Sequence, residues 1–155
     1  DSLHAHLAAA HDPQRPGLVC GDFNVCPSAL DSWNEEAFAG GIFHTDAERA
    51  RLRRLLDWGL VDAYRELHPT GRDYSWWDYR GGAFHRGQGL RIDFVLATRA
   101  LRPALRSAGV DREWRKKKQD LTASDHAPVV VELDLGVDAD HADGGVITTS
   151  PRARC

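Results

Sequence analysis

No apolar run in this chain approaches the roughly 20 residues that a membrane-spanning helix needs, and no basic-then-apolar leader opens it. The expectation is a soluble protein with no membrane partner. Cysteine is scarce: Cys20, Cys26 and Cys155 are an odd number without framework spacing, and no pair is placed to hold zinc. That argues against a disulfide scaffold and for reduced thiols in a cytoplasmic protein. An excess of positive charge is missing too. The formal net charge is -3, so any contact with nucleic acid has to come from a local basic face. Lysine is confined to Lys116, Lys117 and Lys118, beside Arg115, and there are no internal repeats. What remains, 155 residues of which 42% are hydrophobic, suffices for one domain with a sizeable core.

The most informative stretch begins with Leu18, Val19 and Cys20, an apolar run that reads as a buried strand. Gly21 then lets the backbone turn, so that Asp22 and Asn24 leave the strand's end. Side chains two apart in extended chain point to the same side, which gives a carboxylate and a carboxamide one space to face.

Around this stretch the chain reads in order. Ser2 caps a helix carrying Leu3, Leu7 and Ala10, which ends in the group Asp12, Pro13, Pro16 and Gly17. Residues 27–41 read as irregular. Thr45 and Glu48 make a capping box for a helix with Leu52, Leu55 and Leu56 on one side, Arg49, Arg51, Arg53 and Arg54 on its solvated face, and a stop at Gly59. Residues 60–64 form a short link, and 74–79 read as an aromatic strand. After a glycine-marked loop, residues 91–97 read as a strand with Ile92, Phe94 and Leu96 on one face and Arg91, Asp93 and Val95 on the other. Residues 101–105 suggest a helical turn with Pro103 near its start, 110–114 a strand, and 129–135 the last strand. The tail, 136–155, is expected to be disordered.

Asp22, Asn24, Asp93, Asp125 and His126 are the polar residues set at strand ends or between strands. Carboxylates and a carboxamide are hard oxygen ligands, suited to Mg²⁺ or Mn²⁺. A carboxylate can position an attacking water, and His126 can donate to a phosphoryl oxygen as charge builds there. Asp93 could hold that imidazole in orientation and favour its protonated form. The set suits hydrolysis of a phosphodiester.

Four motifs stand in order: Gly21-Asp22-Phe23-Asn24-Val25, Trp76-Trp77-Asp78-Tyr79-Arg80, Gly89-Leu90-Arg91-Ile92-Asp93-Phe94 and Ser124-Asp125-His126-Ala127-Pro128. They resemble the C-terminal-half motifs of the exonuclease III type of apurinic/apyrimidinic endonuclease, within the endonuclease/exonuclease/phosphatase superfamily, from about residue 3 to 135. The resemblance implies an α+β fold: residues 1–135 would be the C-terminal half of a two-sheet α/β sandwich, with a mixed or mainly antiparallel sheet flanked by helices.

It also implies Mg²⁺-dependent DNA repair (Mn²⁺ being possible), with incision beside abasic sites and removal of nucleotides or blocks from 3' ends of double-stranded DNA. Catalysis would fall to Asp22, Asn24, Asp93, Asp125 and His126, and the metal to Asp22, Asn24, Asp125 and His126. Asp22 would activate water or protonate the leaving group, and Asp93 would orient His126. Trp76 and Leu90 would wall the pocket for a flipped-out sugar. Arg80, Arg86, Arg91 and Lys116 to Lys118 would contact phosphates. Members of this family are expected to act as monomers.

The same resemblance places a second sheet, a metal-binding glutamate, an asparagine and a tyrosine in an N-terminal half that these 155 residues do not contain. On that ground the chain alone is expected to be poorly soluble or inactive. Two alternatives stand beside the nuclease: a catalytically incomplete DNA-binding remnant, and another phosphodiesterase of the superfamily.

Overall fold

The computed structural model describes residues 1–116 and 121–136, and the backbone of 152–154. Helix α1, Ser2–Ala10, is capped at Asp1 rather than Ser2, and the Asp1 carboxylate pairs with Arg54 instead of closing the helix end. Leu7 carries α1 into the core, against Leu52 and Leu55 of α3, Asp46–Trp58. The Thr45 capping box that opens α3 is complete, with the Glu48 N–H on Thr45 Oγ1 at 3.2 Å and Thr45 N–H on Glu48 Oε2 at 2.9 Å. Gly59 ends it at φ 134, where a side chain would sit 2.4 Å from Pro13 Cβ, so both backbone and space demand glycine. One of the four arginines is not on the solvated face: Arg49 donates to Cys26 O and pairs with Glu35, tying α3 to the loop below β1.

The first sheet has the order β1, β3, β2 and is antiparallel throughout: β1 Leu18–Asp22, β3 Asp93–Thr98 and β2 Leu60–Asp62. Strand β3 is central and buried on both sides. Phe94 and Leu96 face α1 and α3, while Val95 joins Ala63, Tyr64, Val129 and Val131. Strand β1 is an edge. Cys20, expected inside, is exposed, while Leu18 and Val19 on the same strand pack against the two core clusters. The second sheet is β4 Leu105–Val110, β5 Val129–Leu133 and β6 Arg152–Arg154, again antiparallel, with β5 packed beside β3.

Several local expectations give way. Residues 74–79 form no strand; Trp76 makes single bridges to Leu90 and His126. The Ser75 hydroxyl accepts the N–H groups of Ile92 and Asp93, both at 3.1 Å, in place of a backbone ladder. The 60–64 link is β2 followed by α4, Ala63–Leu67, because Asp62 Oδ1 caps that helix at Arg65 N. The strand near 110–114 lies earlier, as β4, and a 3₁₀ turn, Arg112–Arg115, follows it. A register shift between Leu105 and Ser107 breaks the alternation that would have revealed it.

Within 27–41, Ser28 and Asn34 cap a 3₁₀ turn, Ala29–Asp31, and the short helix α2, Glu35–Phe38. Pro103 sits near the end, not the start, of a 3₁₀ segment, Arg99–Ala104. Of the tail expected to be disordered, Arg152–Arg154 pairs with β5, and 137–151 and 155 lie outside the described residues. Among the described residues no helix is long and apolar enough to cross a membrane.

Candidate active site

The β1–β3 register sets Asp22 opposite Asp93. Beyond Asp22 the chain turns sharply, with Asn24 at φ 51, and the Asp22 carboxylate holds the turn by accepting Asn24 N at 2.9 Å and Asn24 Nδ2 at 3.1 Å. Asn and Asp tolerate this left-handed region best, because a short polar side chain can bond its own backbone. The turn therefore leaves Asp22 and Asn24 together, exposed, at the sheet's edge.

His126 arrives from the other sheet. Ala127 N donates to Ser75 O at 2.7 Å and Trp76 bridges His126, which fixes the backbone beside β3. His126 Nδ1 then lies 2.9 Å and 3.1 Å from the two Asp93 oxygens. Burial pushes the Asp93 carboxyl above its ordinary range; bonds from Ser75 and His126 oppose this, and the Asp22 charge adds to it. One ligand atom from each of Asp22, Asp93 and His126 falls within 4.8 Å of the others. With Nδ1 committed to Asp93, Nε2 is the imidazole position left for chemistry.

Asp125, assigned above to the metal and to catalysis, is not part of this group. Its Oδ2 accepts Trp76 Nε1 at 3.0 Å, and its backbone carbonyl accepts Trp77 N. Adjacent side chains in near-extended chain point to opposite sides, so bringing in His126 turns Asp125 away. It positions Trp76. Asp93, in turn, belongs to the donor cluster that the sequence assigned without it.

Arg91 is a second correction. It is 2% exposed and cannot reach a phosphate. Its guanidinium hydrogen-bonds Asp31 at 2.7 Å and Asp62 at 3.0 Å, its Nη2 lies 2.8 Å from Asp62 Oδ2 as an ion pair without hydrogen-bond geometry, and it lies over the rings of Phe94 and Tyr64 at 4.6 and 5.0 Å. Arg65 and Ser28 complete the shell around Asp31, at 2.6 and 2.7 Å. Burial alone would raise the Asp31 carboxyl; Arg91, Ser28 and Arg65 outweigh it and hold that carboxyl below its usual range.

Leu90, expected to wall a pocket, is instead buried behind Trp76 with Cys26 and Ile92. Trp76 is half-buried, with its indole N–H on Asp125. Arg80 is exposed and paired with Asp78, whose carboxyl it draws down to about 2. Arg86 is exposed as well, and Lys116 pairs with Glu113; Lys117 and Lys118 lie outside the described residues. Cys26 is inert, its thiol pushed up to about 12 by burial and the nearby carboxylates Asp31 and Glu35.

Sequence reasoning missed two residues on which this geometry depends. Ser75 aligns the start of β3, and so Asp93, but within an aromatic run it passes for an outward position. Asp31 neutralises Arg91; the available signal was the arginine itself, on the same strand face as Val95, where a buried cation needs a carboxylate.

Comparison with known proteins agrees with this geometry. The chain is 36% identical over 138 residues to exodeoxyribonuclease III of Haemophilus influenzae, covering 84% of this chain and 51% of that protein. It is 33% identical over 125 residues to an exodeoxyribonuclease of Bacillus subtilis, covering 80% of this chain and 47% of the relative. Among solved structures, an AP endonuclease from Archaeoglobus fulgidus superposes with a TM-score of 0.80 at 31% identity, over 86% of this chain and 51% of that one. The 3' phosphatase NExo from Neisseria, bound to a product DNA hairpin, gives 0.76 at 37% identity, over 85% and 49%. The chain thus spans about half the length of the relatives it matches. Residues 1–126, which carry Asp22, Asn24, Asp93 and His126, match the Endonuclease/Exonuclease/phosphatase family, and the chain belongs to it.

Proposed function

We propose that the protein is a metal-dependent DNA repair nuclease, hydrolysing phosphodiester bonds at abasic sites and at DNA 3' ends. The observation that carries this reading is the His126–Asp93 pair set across from an exposed Asp22. A phosphodiester placed between them meets an imidazole Nε2 that can donate to a non-bridging oxygen as charge builds there, while Asp93 holds the ring in orientation through Nδ1. Asp22 accepts the proton of the attacking water or returns one to the leaving oxygen. Asn24 donates its Nδ2 to Asp22, which leaves its amide oxygen as an acceptor.

The donor chemistry fits a hard divalent cation. Asp22 and Asp93, whose ligand atoms lie within 4.8 Å of each other and of His126, are the carboxylates that would hold Mg²⁺ or Mn²⁺, with the Asn24 amide oxygen beside them. A divalent ion bound there supplies positive charge opposite the developing phosphoryl charge. Support for DNA as substrate comes from relatives named as exodeoxyribonucleases and AP endonucleases, and from the Trp76 wall beside His126. A deoxyribose that has lost its base leaves the helix at the lowest unstacking cost, so an abasic site is the substrate such a wall selects.

The test is nicking of a duplex oligonucleotide bearing one abasic analogue, with Mg²⁺ and with chelator. Metal-dependent incision is expected. Salt-sensitive duplex binding without a metal-dependent product would support the DNA-binding remnant instead, and preference for an inositol phosphate or a sphingolipid would move the protein elsewhere in its superfamily.

A further inference from the structure

We propose that Trp114 and Arg115, on the turn after β4, form a subsite for the nucleotide next to the scissile phosphate, Trp114 stacking its base and Arg115 taking its other phosphate. This rests on the nuclease reading above. The depression that holds Asp93 and His126 is also lined by Trp114, Lys116 and Leu121. Trp114 is 51% exposed and Leu121 71% exposed, so a large apolar surface meets water beside the catalytic imidazole. Tyr79, 55% exposed, bonds by its hydroxyl to the carbonyl of Ala123, a residue of the same depression, at 2.9 Å. Together they make an apolar rim at a polar site, the kind of exposed patch that marks a binding surface.

The arginine is what directs this rim toward a nucleotide. Arg115 lies between two rings, its Cζ 5.0 Å from the Tyr79 centroid and 5.2 Å from that of Phe84. Arg112 is held the same way, over Trp77 at 5.3 Å and Phe84 at 5.2 Å. Among the described residues neither forms an ion pair, and Arg115 spends one long bond, 3.4 Å, on Trp77 O. Ring faces fix a guanidinium without consuming its N–H donors, so a phosphate can claim them with little ordering cost. Arg91 shows the opposite arrangement, in which carboxylates occupy the donors. Arg115 lines the neighbouring depression with Asp78, Tyr79 and Phe84, one residue on from the exposed indole, so the turn offers an anion site and a flat surface, the two parts of one nucleotide.

The experiment is fluorescence anisotropy of this chain with a labelled abasic-analogue duplex in chelator, across a salt series, alongside incision in Mg²⁺. Trp114→Ala should weaken binding by about 5- to 100-fold, and Trp114→Phe should restore most of it, since stacking tolerates any aromatic. Arg115→Ala should reduce the slope of log affinity against log salt by about 0.9, one phosphate contact, while Arg115→Lys keeps the slope. Unchanged affinity in Trp114→Ala together with an unchanged slope in Arg115→Ala, while wild type incises and His126→Ala does not, would remove the subsite and leave the nuclease. Wild type that neither binds nor incises would remove both.

Discussion

Two carboxylate clusters flank the start of β3, two residues apart in sequence, and they are built to opposite ends. Around Arg91, two carboxylates, Asp31 and Asp62, meet two guanidinium groups inside the core, and Asp31 also accepts from Ser28. Around Asp93, one carboxylate, Asp93, holds the imidazole and a second, Asp22, stands in solvent, with Asn24 as its one hydrogen-bond partner among the described residues. The first cluster is closed electrically and sterically. The second has acceptors left over and an open side. Residue type does not distinguish structure from chemistry here; burial and the balance of charge do.

The contrast is broken most severely by emptying the closed cluster. Arg91→Leu leaves Asp31 and Asp62 without their shared cation in the core, and should cost about 3–5 kcal/mol of stability by denaturant unfolding. Asp22→Asn removes charge from the open cluster and one acceptor of the Asn24 turn, and should cost only about 0.5–1.5 kcal/mol. Equal effects would erase the distinction.

A divalent ion should read the same difference from the other side. If only the open cluster accepts it, Mn²⁺ at a hundredfold excess over its dissociation constant stabilises wild type by about 2.7 kcal/mol. Asp22→Asn should lose that gain in a thermal melt, while Arg91→Lys keeps it.

Ser75→Ala probes the joint between the clusters. Leaving the Ile92 and Asp93 N–H groups without their acceptor should cost about 1–3 kcal/mol, and should lower incision more than a distant substitution of equal cost, because Asp93 loses its alignment.

Acid sharpens the comparison through its sign. Asp31 has a depressed carboxyl, so its contribution is present above the unfolded value and is lost as pH falls through the folded one. Asp93 is raised, so its native state binds the proton more readily, and its charge costs stability once pH has risen through the folded value. Asp93→Asn should therefore flatten a falling limb of stability above the ordinary carboxylate range, and Asp31→Asn a rising limb below it, in urea titrations at a series of pH values.

Much of this was legible. The capping box at Thr45 and Glu48, the Gly59 stop and the strand into Asp22 are local signals, carried by residues within one turn or strand of each other. Period-2 reasoning also put Arg91, Asp93 and Val95 on one face. It could not say that α4 covers Arg91, and α4 with β5 covers Val95, while Asp93 between them is left to His126. Covering is a long-range property. The same limit explains Asp125, whose neighbour's partner in the other sheet decides which of two adjacent side chains enters the site. Ser75 and the bulge near Ser107 failed for the reverse reason, since one hydroxyl and one register shift replace the repeating pattern that sequence reading relies on.

The central claim is that the open cluster does the chemistry and the closed one holds the fold. The most direct measurement follows Mg²⁺-dependent nicking of an abasic duplex and the melting temperature together, in wild type, His126→Ala and Arg91→Lys. The account predicts that His126→Ala loses about 100-fold or more in rate with an unchanged melt, and that Arg91→Lys melts earlier yet still cuts below its transition. Wild-type cutting by His126→Ala would contradict it.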